Sequence, residues 1–151
     1  MTTIRSTQRH INAPLAKVFD AVAHIGKFKE IAPHISKVEI LSDVEKGVGL
    51  KFRETRVMNG REAATVLECT EYVENERVRM VADQGGVIWD TLMTTAPKGE
   101  GTELAMEMEA RPYKFMSRLI TPLIMGTVSK AVEADIDVIA DYCEGAAHAD
   151  G

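Results

Sequence analysis

Cysteine, aromatic residues and long apolar runs are all scarce in this sequence. Aromatic side chains make up 5% of its 151 residues, and Trp89 is the one tryptophan. The two cysteines, Cys69 and Cys143, lie far apart without a metal-ligand spacing around them, which predicts reduced thiols in an intracellular chain. The first residues show no basic stretch followed by an apolar run, so no secretory signal is expected. Together these features predict a cytoplasmic location.

Positive charge is also limited, and recognisable catalytic motifs are missing. The formal net charge is −5 with a pI near 5.4, which argues against a nucleic-acid surface. The apolar run around Leu123–Met125 is far too short for a transmembrane segment. His10, His24 and His148 have no metal-site spacing, and neither a phosphate loop nor a catalytic triad pattern is present. We therefore expect no metal and no cofactor.

A long amphipathic helix over residues 122–143 is the dominant predicted element. At 100° per residue, Val128, Val132 and Ile139 share one face, while Lys130 and Asp137 fall on the opposite one. Such a helix has about 22 residues and is roughly 33 Å long, so it needs a large apolar partner.

The apolar residues of the preceding segment, 115–120, lie nearly opposite the Val128 face. Pro122 and Gly126 stand between the two, which predicts a break or sharp kink there. The first segment is then expected to pack at the mouth of the sheet.

Most of the remaining chain alternates like short antiparallel strands. In the last one, Leu104 and Met106 alternate with Glu103 and Glu107, which predicts one apolar and one wet face. Two short helices are expected after the first strand, the first capped by Asn12 and closed at Gly26 and the second over 28–31. The predicted strands are 3–11, 37–41, 50–58, 61–72, 77–83, 87–95 and 102–111. The fold class is α+β, with a single domain over 1–145 and a disordered tail over 146–151.

Several short segments, in this order, resemble a known superfamily. They are Ile11-Asn12-Ala13-Pro14 with Val18-Phe19, residues 31–35, residues 49–56 followed by Asn59-Gly60-Arg61, Gly101-Thr102 and Asp135-Ile136. The chain resembles the START-like helix-grip superfamily (SRPBCC), of the polyketide cyclase/dehydrase and lipid-transport type, over nearly its whole length. The resemblance implies a curved antiparallel sheet of about seven strands that wraps around the C-terminal helix and encloses an apolar cavity. Members bind lipids, sterols, hormones or quinones, and some cyclise or dehydrate polyketides.

Three residues are candidates for catalytic chemistry. Glu54 shares strand parity with Leu50 and Phe52, so it is either an acid in the cavity with a raised pKa or a residue turned outward or paired with Arg56. Asp135 lies on the apolar helix face and is expected at a wet rim or paired with Arg53, Arg56 or Arg61.

His34, the third candidate, follows Pro33 in a loop where the family places its cavity entrance, and it is otherwise simply exposed.

Shared strand parity and helix face also predict the lining of the cavity. The predicted ligand-binding residues are Phe52, Glu54, Met58, Leu67, Met80, Trp89, Thr91, Met93, Met106, Met108, Val128 and Val132.

The main functional prediction is binding of a hydrophobic small molecule, such as a lipid, a polyketide or a quinone-like compound, in this cavity. One alternative is a cyclase or dehydratase, for which two or more polar groups should converge on one point. A second is an interaction module that uses residues 115–125, for which that segment should be exposed. The sequence leaves a homodimer open.

Overall fold

The computed structural model describes residues 3–58 and 60–149, and the side chains of residues 4–57 and 60–145. Seven antiparallel strands form one sheet in the order β1-β7-β6-β5-β4-β3-β2, so β2 to β7 form a meander and β1 joins it beside β7. This is the predicted α+β helix-grip fold. The elements are β1 Thr3–Ile11, α1 Leu15–Ala23, α2 Ile25–Ile31, β2 Ile35–Ile40, β3 Lys51–Met58, β4 Arg61–Val73, β5 Arg77–Gln84, β6 Val87–Lys98, β7 Gly101–Pro112 and α3 Phe115–Ala149.

The β1–β7 edge explains the Gly-Thr pair that begins β7. A Cβ on Gly101 would clash with the carbonyl oxygen of Ile11, so only glycine allows the strands to approach this closely. The next residue, Thr102, is fully buried, and its hydroxyl donates to the Ala13 carbonyl oxygen at 2.8 Å. The pair thus fixes the point where the chain leaves β1 for α1.

The two faces of the sheet differ as the alternation in β7 predicts. Leu104 and Met106 are buried on the inner face, at 0% and 4% exposure. Glu103 faces outward and forms an ion pair with Lys98, with 2.8 Å between Nζ of Lys98 and Oε2 of Glu103. The inner face packs against α1 and α3, and most of their buried residues form one core with those of the sheet, while Met125 of α3 packs with Val87 and Ala110 in a second, smaller cluster.

Helix α3 is continuous through Pro122, so the predicted break is wrong. The two apolar sides of the helix, the Val128 face and the opposite side formed by residues 115–120, have a different explanation. Ser117, Thr121 and Met125 turn inward and are buried, whereas Leu119 and Leu123 turn outward and are exposed. The apolar residues of segment 115–120 therefore form an exposed stripe on one continuous helix and not a second packing face. Pro122 is tolerated on an exposed position, where water can reach the Arg118 carbonyl that loses its amide partner.

Two local predictions at the N-terminal helices are also corrected. Pro14, rather than Asn12, occupies the N-cap position of α1, and the backbone N–H of Asn12 instead donates to the Glu144 carboxylate at 2.9 Å. Gly26 lies inside α2 instead of closing α1, which ends at Ala23. The C-terminal helix is described up to Ala149, within the segment predicted as a tail. Among the described residues, no helix is both long and apolar enough to cross a bilayer.

Candidate functional site

Two adjoining spaces lie between the inner face of the sheet and α3. The inner space has a volume of about 110 Å³ and the outer space about 490 Å³. They share a wall of residues from β3, β4, β6, β7 and α3. That wall consists of Glu54, Arg56, Leu67, Thr91, Met108 and Asp135. Half of these side chains are charged, so the junction between the spaces is their most polar part.

The inner space is otherwise apolar. Helices α1 and α2 contribute Val22, Ile25 and Phe28, which close it from one side. The sheet contributes mainly phenylalanine and methionine side chains, and methionine adapts its shape readily to what it contacts. The sheet and α3 residues here are Phe52, Met80, Met93, Met106 and Ile139.

The outer space opens beside the first half of α3. Trp89 of β6 forms part of its wall, and Gly85 in the β5–β6 turn lies at its edge. The residues that α3 contributes recur at each turn from Met116 to Asp135, so the helix covers the space along its length. Besides Asp135 they are Met116, Ser117, Ile120, Thr121, Ile124, Val128, Ala131 and Val132.

Arg56 is the centre of the charged cluster. Its Nε donates to the Glu54 carboxylate, and its two terminal nitrogens donate to the two oxygens of Asp135 at 3.1 Å each. The exposed fractions of the side chains are 23% for Arg56, 8% for Glu54 and 15% for Asp135. The paired geometry with Asp135 joins β3 to α3 across the cavity, and such two-point contacts are directional as well as strong.

The charge of Arg56 is fixed by its surroundings. Burial alone would lower the pKa of its guanidinium, but the attraction of Asp135 and Glu54 outweighs burial and raises the pKa above its ordinary value. The guanidinium also lies over the Phe28 ring, with 6.0 Å between its central carbon and the ring centroid. Arg56 is therefore a permanent cation at the junction and cannot act as an acid or base.

His34 reaches the same cluster from the loop before β2. Its Nε2 lies 3.2 Å from a terminal nitrogen of Arg56 and 3.2 Å from an oxygen of Asp135. It either accepts from Arg56 or donates to Asp135, depending on which ring nitrogen carries the proton. Its side chain is 28% exposed, so it connects the cluster to solvent.

The cluster leaves one carboxylate oxygen without a donor from the described residues. Both oxygens of Asp135 and Oε1 of Glu54 accept from Arg56, whereas no described residue donates to Oε2 of Glu54. With both carboxylates ionised and one arginine, the three groups carry a net charge of −1. A hydroxyl or amine group that donates to Glu54 suits this arrangement better than a carboxylate, which would meet excess negative charge.

The three candidate catalytic residues therefore meet at Arg56. For Glu54 the sequence left an inward position and an arginine pair as alternatives, and the structure shows both at once. For Asp135 the partner is Arg56, since Arg53 pairs with Glu39 at 2.8 Å. His34 joins them, although it does not appear among the residues that line the two spaces.

The residues predicted to bind ligand all line one or both spaces, apart from Met58. The side chain of Met58 lies outside the described part of the structure. Several other lining residues, Arg56 among them, were not predicted, and they include two groups from helices. Ile25 and Phe28 come from α2, and Met116 and Ile120 come from the first half of α3. Helical spacing could have identified both pairs as neighbours, but not the side of the sheet on which they lie.

Within residues 3–58 and 60–149, no group of three or more histidine, cysteine, aspartate or glutamate side chains could hold a metal ion. Cys69 and Cys143 are free and buried.

Comparison with known proteins places this geometry in a family. The family model described as polyketide cyclase / dehydrase and lipid transport matches residues 1–144. No curated protein matches the chain by sequence.

Solved structures share the fold at low sequence identity. The di-domain ARO/CYC StfQ from the steffimycin biosynthetic pathway superimposes with a TM-score of 0.82 and 12% identity, over 98% of this chain and 53% of that one. TTHA0849 from Thermus thermophilus has a TM-score of 0.77 and 18% identity, over 95% and 99% of the two chains. Truncated norcoclaurine synthase from Thalictrum flavum has a TM-score of 0.73 and 16% identity, over 93% and 92%. At these identities the similarity establishes the fold alone.

Proposed function

Because the chain belongs to the polyketide cyclase/dehydrase and lipid transport family, we propose that it binds a hydrophobic small molecule between its sheet and α3. The body of the ligand occupies the two apolar spaces, and a hydroxyl or amine group of the ligand donates to Glu54. The observation that carries this proposal is the position of the Arg56 cluster, at the junction of two largely apolar spaces. A polar group placed there fixes the orientation of a ligand whose affinity comes from apolar burial.

The size of the spaces supports a small ligand. The outer space of about 490 Å³ lies within the usual range for small-molecule sites, roughly 300–1,000 Å³. The inner space of about 110 Å³ adds room for a narrow group next to Phe28 and Phe52. We infer a molecule with an apolar chain or ring system and one hydrogen-bond donor, as in a fatty alcohol, a sterol-like compound or a phenolic polyketide.

A filling substitution tests the binding proposal. Thr91 lies in the shared wall, so Thr91→Phe should weaken binding of decan-1-ol at least about tenfold, because the ring takes up space that the ligand needs. Trp89 provides the fluorescence signal, since it is the one tryptophan and lines the outer space. Thr94→Phe is the matched control, because Thr94 lies on the outer face of the same strand and should leave affinity unchanged. Equal affinities for wild type and Thr91→Phe would contradict the proposal.

Native mass spectrometry of the protein purified from its own host would identify the bound molecule. The proposal predicts a co-purified compound of low polarity with at least one hydroxyl or amine group.

A second candidate function is catalysis of cyclisation or dehydration of a polyketide-like substrate. The observation in its favour is the meeting of Glu54, Asp135 and His34 at one cation, as an enzyme of this kind requires. Arg56 would stabilise negative charge that develops on a carbonyl oxygen, and Glu54 or His34 would move the proton. With an oligo-β-ketide thioester as probe, Glu54→Gln should then abolish formation of the cyclised product while leaving affinity nearly intact.

Binding remains the better supported of the two functions. Three of the four oxygens of Glu54 and Asp135 already accept hydrogen bonds from Arg56, so a reacting group of a substrate would have to compete with that cation for them.

A further inference from the structure

The first half of α3 carries an apolar surface that no described element covers. We call it the docking face, and it consists of Phe115, Met116, Leu119, Ile120 and Leu123. Their exposed fractions are 74%, 61%, 55%, 47% and 82%. The residues project from one side of the helix over nine positions, or about 14 Å. A protein surface rarely leaves so many large apolar side chains exposed together unless they meet a partner.

The chain segment that carries the docking face has charged side chains of one sign. Residues 110–132 contain four cationic side chains and no acidic one, in a chain whose net charge is −5. Arg111 is paired with Asp90 and Glu109 on the sheet. The other three, Lys114, Arg118 and Lys130, are exposed, and none forms an ion pair with a described carboxylate.

The geometry points to docking of this face on a membrane surface that contains anionic phospholipids. A helix side with large apolar residues and flanking lysine or arginine binds the lipid interface by inserting the apolar residues and attracting the phosphate groups. A second copy of the chain fits less well, because a two-fold contact through this face would bring the same cationic groups together.

The outer space supports a lipid surface over a protein partner. Met116 and Ile120 belong to the docking face and also line the outer space, and Ile124 continues that wall. A protein seated on the face would cover the space from this side, whereas a bilayer would present hydrophobic molecules to it. Docking itself does not depend on the proposed ligand binding, since it uses the exposed side of the helix.

Vesicle flotation tests the proposal. The protein should float with vesicles of phosphatidylcholine and phosphatidylglycerol but not with phosphatidylcholine alone, and added salt should reduce binding. Leu119→Ser combined with Leu123→Ser should lower the bound fraction at least about tenfold, because both side chains lose their apolar contact with lipid. Lys114→Ser with Arg118→Ser should weaken binding to the anionic vesicles.

The matched control is Leu41→Ser with Val48→Ser. Both residues are exposed, at 43% and 61%, and lie in the loop between β2 and β3. This variant should bind vesicles like wild type. Circular dichroism should show native folds throughout, since all the changed residues are exposed.

Three results would overturn the proposal. One is failure of the wild type to float with anionic vesicles, and another is equal flotation of the Leu119/Leu123 variant. The third is a dimer in sedimentation that the same variant abolishes, without vesicle binding by the wild type, which would assign the face to a second copy. Decan-1-ol binding measured without vesicles should be unaffected by Leu123→Ser, so failure here can be distinguished from failure of the ligand proposal.

Discussion

The sheet carries an arginine–carboxylate cluster on each face, and the two clusters have different environments. On the outer face, Arg77 and Arg79 pair with Glu71, and these three side chains are 33–36% exposed. On the inner face, Arg56 pairs with Glu54 and Asp135, whose side chains are 8% and 15% exposed. Exposed pairs of the first kind contribute little, because water and salt screen them.

Pairs of the second kind are costly to bury, and well-packed apolar residues often stabilise a fold as well or better. The inner cluster therefore has no clear advantage for stability alone, and its place at the junction of two ligand-sized spaces suggests a role in binding. The comparison gives a general criterion. An arginine–carboxylate pair on a solvent-exposed face is an ordinary surface feature, whereas the same pair on a largely buried face indicates a candidate site.

The largest expected change in stability comes from placing a residue suited to one face of β7 on the other face. Leu104→Glu should prevent folding, since an unpaired carboxylate buried at Leu104 costs several kcal/mol, which is comparable to the whole stability of a domain. Glu103→Leu should leave the protein folded, because Glu103 faces outward and loses only its pair with Lys98. Thermal unfolding followed by circular dichroism checks both. Equal melting temperatures would show that the register of this strand is shifted by one residue.

The next largest effect is a difference in stability loss between substitutions in the two arginine clusters. Arg56→Met should destabilise the protein by about 3 kcal/mol, because it leaves two largely buried carboxylates without their cation. Arg77→Met on the outer face should change stability little, since Glu71 keeps Arg79 and water. Urea unfolding measures both variants. A similar loss of unfolding free energy in Arg56→Met and Arg77→Met would show that the two clusters do not differ in their contribution to stability.

A smaller effect concerns acid stability on the outer face. Hydrogen bonds from Arg77 and Arg79 lower the pKa of Glu71 below its ordinary value of 4.5. A carboxylate with a lowered folded pKa stabilises the fold above its unfolded pKa, and this contribution is lost as pH falls through the folded pKa. The difference in melting temperature between wild type and Glu71→Gln should therefore be largest near neutral pH and shrink in acid. A difference independent of pH would mean that ionisation of Glu71 contributes nothing.

Strand parity predicted the faces well because each strand has one wet side. A two-residue period reveals that Leu104 and Glu103 lie on opposite faces and that Phe52 and Glu54 lie on the same face. Arg56 has the same parity as Glu54, although it was not among the predicted lining residues. The choice of Arg56 among three arginines as the partner of Asp135 depends on how α3 lies across β3, and no local pattern contains that information.

Helix α3 shows where periodicity misleads. Two apolar phases around Pro122 suggested two segments that both pack against the sheet. In the structure one phase is buried and the other is exposed, on a single helix. A sequence pattern identifies an apolar stripe but does not say whether the protein itself covers it. The contribution of Phe28 to the inner space was missed for a related reason, since the packing direction of a short helix is set by tertiary contacts.

If the inner cluster anchors the polar group of a ligand, an alcohol should bind more tightly than an ether of similar length. Trp89 fluorescence titrations should be made with decan-1-ol and with decyl methyl ether, which lacks the hydroxyl donor. Wild type should prefer the alcohol about tenfold, because a hydrogen bond to a charged carboxylate is stronger than one between neutral groups. Glu54→Gln should reduce that preference several-fold while the ether binds as before, and Glu71→Gln on the outer face should retain it. The same preference in wild type and Glu54→Gln would show that Glu54 does not anchor the hydroxyl group.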